Sequence, residues 1–132
     1  DLYVFMEPNG RCKADTLGNI RAISQNRDGD AISETVSKIR SLTERRCLLF
    51  VIADGEPCAA GYSGKEAKRH TKEQVVKASK KGFDIVNIAI EAYNAEEMYD
   101  HVVKVTELKT FAKTVGKLIK DKLVKVLQKK VV

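Results

Sequence analysis

Two short acidic loops hold the residues of this 132-residue sequence best suited to chemistry. One is Asp54-Gly55-Glu56-Pro57, which ends the apolar run Cys47–Ala53. The other is Asn26-Arg27-Asp28-Gly29-Asp30, just ahead of a helical pattern. A carboxylate held at a strand end can serve a hard cation such as Mg²⁺, which takes oxygen ligands and keeps several waters. The same residues also make ordinary local structure. Asp54-Gly55 is a good turn, and Asp28 or Asp30 is a good helix N-cap. The loops gain interest as a pair, because in a βαβ arrangement the turn before one helix can lie beside the end of the next strand.

Other chemistries find little support. No Ser–His–Asp or Cys–His constellation is readable, and neither a P-loop nor a G-x-G-x-x-G motif occurs. Cys12, Cys47 and Cys58 are odd in number and widely spaced, without C-x-x-C, and His70 and His101 complete no zinc pattern. Cys47 heads an apolar run and reads as a small buried hydrophobe, which suits a reduced, cytoplasmic setting. His101 precedes an apolar run and is expected to pack or cap. His70, with Lys68-Arg69, falls near a helix start close to Asp54; solvated surface is the default, partner or phosphate binding the alternative. Tyr62 and Tyr93 lie in loops near strand ends, where binding surfaces are built.

The elements that must position these residues follow from hydrophobic periodicity. Leu2–Met6 is strand-like and stops at Glu7-Pro8-Asn9-Gly10, and a short helical turn is expected around 15–20. Ile32, Val36 and Ile39 predict a helix over about 30–43. Cys47–Ala53 is apolar at every position, the pattern of a strand covered on both faces at the centre of a sheet. A helix over about 66–81 follows. Ser63–Glu66 and Thr71–Gln74 both fit a capping box at its start, and Lys80-Lys81-Gly82 closes it. Phe83–Ile90 reads as a second apolar strand, 95–99 as a short helix and 101–106 as a third strand. A last helix, about 108–127, places Leu108, Phe111, Val115, Leu118, Ile119 and Val126 on one face and Lys109, Lys113, Lys117 and Lys120 opposite. It is expected to fray beyond about Leu123, with Lys122, Lys125 and Lys129 rotating toward the apolar stripe. This alternation predicts a single α/β domain with an open, mostly parallel sheet, about four strands and three main helices. In such sheets ligands bind outside the carboxyl ends of the strands, which is where Asp54 falls.

Charge adds one boundary. Residues 104–132 hold nine lysines against Glu107 and Asp121, a net of +7, while fifteen basic and sixteen acidic residues elsewhere leave −1. The basic character therefore belongs to the last helix, whose lysine row is the wet face of a docked helix. It lacks the interleaved aromatics and arginines of a nucleic-acid surface. No apolar run is long enough to span a bilayer, and no signal peptide is visible.

The strand ending in D-G-E-P, preceded by N-R-D-G-D-A-I and followed by G-Y-S-G and H-T-K, resembles a von Willebrand factor type A (VWA) domain. The nearest subgroup is that of the large subunit of aerobic cobaltochelatase, with relatives of nitric-oxide-reductase activation proteins. The resemblance implies a Rossmann-like fold and a metal-ion-dependent adhesion site. That site uses a D-x-S-x-S loop after the first strand, a Thr or Asp on a middle loop and an Asp after the fourth strand. Asp28 matches the middle-loop position and Asp54 the last. No D-x-S-x-S occurs in these residues.

The chain begins with Asp on a strand-like run, so the reading is of a VWA domain lacking its first strand. Its Mg²⁺ or Mn²⁺ site is then complete only in the full-length protein and weak or empty in this chain alone. Asn26, Gly29, Glu56, Tyr62 and His70 are the expected partner-binding surface around the metal. A strand 47–53 without its neighbour would also present an apolar edge, through which two copies of the chain could pair.

Three functions follow as expectations. The first is a non-catalytic interaction module working beside an AAA+ ATPase in metal insertion or complex remodelling. The second is a subunit of a cobalt or magnesium chelatase acting on a tetrapyrrole. The third, disfavoured by the composition of the last helix, is a basic binder of nucleic acid or membrane surface.

Overall fold

A computed structural model of the chain describes residues 25–92 and 94–128, together with Gly10, Arg11, Asp15 and Gly18. Leu2–Met6, Cys12 and Tyr93 lie outside the described residues. The elements run α1 (Asp28–Arg40), β1 (Cys47–Ala53), α2 (Gly64–Lys80), β2 (Phe83–Ile90), a 3₁₀ turn (Ala95–Glu97), β3 (Val102–Val105) and α3 (Leu108–Gln128). The three strands form a parallel sheet in the order β1-β2-β3. Val51 pairs with Asn87 and Asn87 with Val102, so β2 is the middle strand of the three.

The alternation of side chains along each strand divides the core. On one face Ile32 and Val36 of α1, Val75 and Ala78 of α2, and Phe83 and Ile85 of β2 meet Met98 and Tyr99. Cys47, Leu49 and Val51 of β1 pack against the rim of this cluster. Val86 and Ile88 point to the opposite face and are fully buried. β2 is thus closed in on both sides, as a middle parallel strand requires.

That finding moves a role expected of β1. Its residues are mostly half-buried, and Ile52 is 56 % exposed. The strand covered on both faces is β2, because among the described residues β1 has a strand neighbour on one side only. Cys47 is likewise half-buried, with Sγ 3.3 Å from the Arg45 carbonyl oxygen.

Helix limits shift by a turn or less. α1 starts at Asp28, with Arg27 in the N-cap position and no side-chain cap bond, so neither Asp28 nor Asp30 caps it. Both lie in its first turn, where the helix dipole favours negative charge. Ser63 is the N-cap of α2, again without a side-chain bond, which selects the first of the two capping-box candidates by position only. α3 continues to Gln128, past the point where fraying was expected, and packs against β3. Its Lys109, Lys113, Lys117 and Lys120 are exposed, Phe111, Val115 and Leu118 half-buried, and Ile119 exposed. No helix among the described residues is long and apolar enough to cross a membrane.

Candidate functional site at the carboxyl ends of the strands

β1 and β2 deliver Asp54 and Glu91 to one end of the sheet, and the turn entering α1 brings Asp28 to the same place. Asn26, Asp28, Asp54, Glu56, Cys58 and Glu91 line an open cleft there of about 970 Å³. Asp28 and Asp54 thus line one cleft, because the loop before α1 lies against the loop after β1. Two backbone hydrogen bonds join these loops, Asn26 N–H to the Cys58 carbonyl at 2.8 Å and Cys58 N–H to the Asn26 carbonyl at 3.0 Å.

Each carboxylate is half engaged. Asp28 Oδ1 accepts from Asn26 Nδ2 at 3.2 Å, while Oδ2 is buried and has no partner among the described residues. Asp54 Oδ1 accepts from the Glu56 backbone N–H at 3.0 Å, which shapes the turn after β1. Gly55 makes this turn with φ 77°, a conformation L side chains rarely adopt. Asp28 is only 9 % exposed. Burial, and then the charge of Asp54, push its carboxyl above the ordinary 3.8, and the Asn26 bond pulls partly the other way. Two carboxylates that repel each other across a cleft, one with an orphaned oxygen, suit a cation. Among the described residues no cluster of three or more His, Cys, Asp or Glu side chains forms a complete metal cage.

The remaining expected residues divide into a rim and a support. Glu56 is on the rim, paired with Lys68 Nζ at 3.2 Å. Lys68 also lies 3.6 Å from Glu97, so the loop after β1 is tied to α2 and the 3₁₀ turn. Tyr62, His70 and Gly29 form the support: Tyr62 and Gly29 are buried, against the surface expected of them, and His70 is half-buried. Tyr62 is 7 % exposed. Its hydroxyl lies 3.0 Å from His70 Nδ1 and 3.2 Å from Thr71 Oγ1, and donates to the Ala67 carbonyl at 3.3 Å. Gln74 Nε2 is 3.1 Å from His70 Nε2. One proton assignment satisfies the whole chain of bonds: Gln74 donates to Nε2, and Nδ1–H donates to Tyr62. His70 is therefore half-buried and hydrogen-bonded rather than solvated, while the side chain of His101 is exposed. Arg27 covers the Tyr62 ring, its guanidinium carbon 4.5 Å from the centroid.

Removing the Tyr62 hydroxyl should leave buried Thr71 and half-buried His70 short of a partner. Tyr62→Phe is expected to lower stability by about 1–3 kcal/mol, readable as a shifted midpoint in urea unfolding. Gly29 sits directly beneath this network. A Cβ there would stand 2.5 Å from His70 Nδ1 and 3.0 Å from the Tyr62 oxygen. The imidazole is held at both nitrogens and cannot simply swing away. Gly29→Ala is expected to destabilise by about 1–3 kcal/mol, despite the better helix propensity of Ala; a melting temperature at or above wild type would contradict this.

Two buried polar groups escaped sequence reasoning. Asn87 is fully buried in the middle of β2, its Nδ2 3.2 Å from the Val51 carbonyl and its Oδ1 without a partner among the described residues. Tyr99 is 2 % exposed with an equally unpartnered hydroxyl. Burial, then the nearby charges of Asp28 and Tyr62, hold its phenol above the ordinary range, so it stays protonated. An asparagine interrupting the apolar run Ile85–Ile90 was the one available signal; Tyr99 gave none.

Comparison with known proteins decides the family. The model of the cobalamin biosynthesis protein CobT VWA domain matches residues 8–129. The chain belongs to this family. The parallel sheet with helices between its strands is the Rossmann-like arrangement of a VWA domain. This CobT-type VWA domain is also 36 % identical over 72 residues to the uncharacterised protein YojO of Bacillus subtilis (strain 168). That match takes in 54 % of the chain and 11 % of YojO. No solved structure matches.

Proposed function

We propose that this CobT-type VWA domain is a non-catalytic, cytoplasmic interaction module whose partner contact runs through a divalent cation held at Asp28 and Asp54. The observation that carries the reading is the half-engaged state of both carboxylates. Each has one oxygen fixed by a protein donor, and Asp28 Oδ2 is buried with no partner among the described residues. Mg²⁺ and Mn²⁺ are the natural occupants, since both accept oxygen ligands and leave positions for water. When bound, the cation supplies an open coordination position that a partner's carboxylate can complete. Asp28 and Asp54 hold it, Asn26 and the Glu56 N–H orient them, and Glu56 with Lys68 shapes the rim. A chain extended to carry a D-x-S-x-S loop is expected to bind the cation more tightly than these residues alone. A further consequence is self-pairing along β1, readable by sedimentation.

The partner proposed is an AAA+ ATPase that works in metal insertion or complex remodelling. Co-purification of the whole protein with such an ATPase is expected in Mg²⁺ and lost in EDTA. Retention in EDTA would remove the metal from the interaction. A second reading, a subunit that helps insert cobalt or magnesium into a tetrapyrrole, draws on the family description. There the inserted ion is cargo, not the cation of the cleft.

A further inference from the structure

We infer that Asn26 is a positioning residue that joins the two halves of the cation site into one unit, an inference that rests on the metal reading above. Its amide makes two bonds in two directions. Nδ2 donates to Asp28 Oδ1 at 3.2 Å, and Oδ1 accepts from the Cys58 backbone N–H at 2.8 Å. Cys58 follows Pro57 in the loop that begins at Asp54. One side chain therefore touches the carboxylate of the first loop and the backbone of the second.

Several features make this a device for the site and not just a staple. Among the described residues, the only backbone hydrogen bonds between the two loops are those of Asn26 with Cys58. The two loops also approach through Arg27, which covers the Tyr62 ring, and α1 and β1 share one core cluster. Asn26 is the residue whose side chain links the Asp28 carboxylate directly to the loop that carries Asp54. The bond to Oδ1 also decides which oxygen of Asp28 is left over, and that oxygen is the buried one with no partner among the described residues.

The residue type is the one the task requires. An amide presents a donor and an acceptor from one planar group. Aspartate here could accept from Cys58 but would repel Asp28. Serine is too short to reach both, and glutamine adds a methylene that displaces both ends. Partners that orient metal ligands from behind commonly change affinity by about 10–100-fold when lost.

The test uses the 132-residue chain and Mn²⁺ as probe. Paramagnetic broadening of the amide signals of residues 26–28 and 54–58 reports occupancy even when binding is weak. Wild type is expected to show saturable broadening. Asn26→Ala is expected to need about 10-fold to 100-fold more Mn²⁺, while its metal-free melting temperature falls only slightly. Asn26→Ser, which keeps a short polar group, gives the same reading if the alanine variant does not fold. Asn26→Ala with wild-type Mn²⁺ affinity and lowered stability would make Asn26 a structural staple only, overturning this inference and leaving the metal site intact. No saturable broadening in wild type, together with none in a chain extended to carry a D-x-S-x-S loop, would overturn the metal reading itself, and the role of Asn26 with it.

Discussion

Asp54→Ala is expected to abolish cation binding at the cleft while leaving the fold in place. Asp54 is one of the two carboxylates assigned to the cation. Although Glu56 and Glu91 also line the cleft, no group of three or more His, Cys, Asp or Glu side chains suited to a metal ion forms among the described residues. With Asp54 gone, Asp28 is the one assigned carboxylate left, and a lone carboxylate holds a cation that keeps most of its waters only weakly. The structural loss is smaller. It is one hydrogen bond to the Glu56 N–H in an exposed turn, about 0.5–1.5 kcal/mol. Gly55 still supplies the unusual backbone angle. Glu56→Gln is the matching control, since Glu56 pairs with Lys68 on the rim. It should change affinity only a few-fold. Mn²⁺ titration with circular dichroism on the same samples separates the two effects. Wild-type affinity in the Asp54 variant would remove this residue from the site.

Asp28→Asn should stabilise the metal-free protein near neutral pH and lose the cation at the same time. The reason lies in the sign of the Asp28 shift. Burial and the Asp54 charge raise its folded-state value above the ordinary 3.8. Between those two values the folded protein holds a proton that the unfolded chain has released. Stability therefore falls as pH rises through that window, and above it the folded state carries the full penalty of a buried charge. Asparagine does not titrate. The variant should match wild type below the ordinary carboxyl value and exceed it at pH 7, with the gap opening in between. A saturating divalent cation should narrow the gap by stabilising wild type alone. Melting temperatures measured from pH 3 to 8, with and without Mn²⁺, test both halves. A variant less stable than wild type at pH 7 would contradict the electrostatic account. Sites that hold such a penalty are those where function has been favoured over stability.

These two carboxylates also show how much the chain reveals unaided. D-G-E-P after an apolar run and N-R-D-G-D before a helical one are local patterns, and both fall where the sequence puts them. The strand and helix limits are legible for the same reason, since periodicity and turn residues act over a few positions. The metal-binding role is an extension from those patterns, and Mn²⁺ titration decides it.

What could not be read was everything that depends on neighbours distant in sequence. Tyr62 and His70 look like surface candidates because aromatic and imidazole groups in loops commonly are. Packing of α1 against α2 turns them inward, and Gly29 is small because His70 needs the space. β1 is the most uniformly apolar strand, yet β2 is the one covered on both faces. Apolarity states what a strand tolerates, whereas its place in the sheet sets what covers it. The sequence by itself determined the elements, the family and the two acidic loops, since each is encoded within a short window. Only the tertiary structure decided that Asn26 bridges those loops and that one oxygen of Asp28 is buried without a partner among the described residues. Both are distances between residues that the chain brings together only by folding.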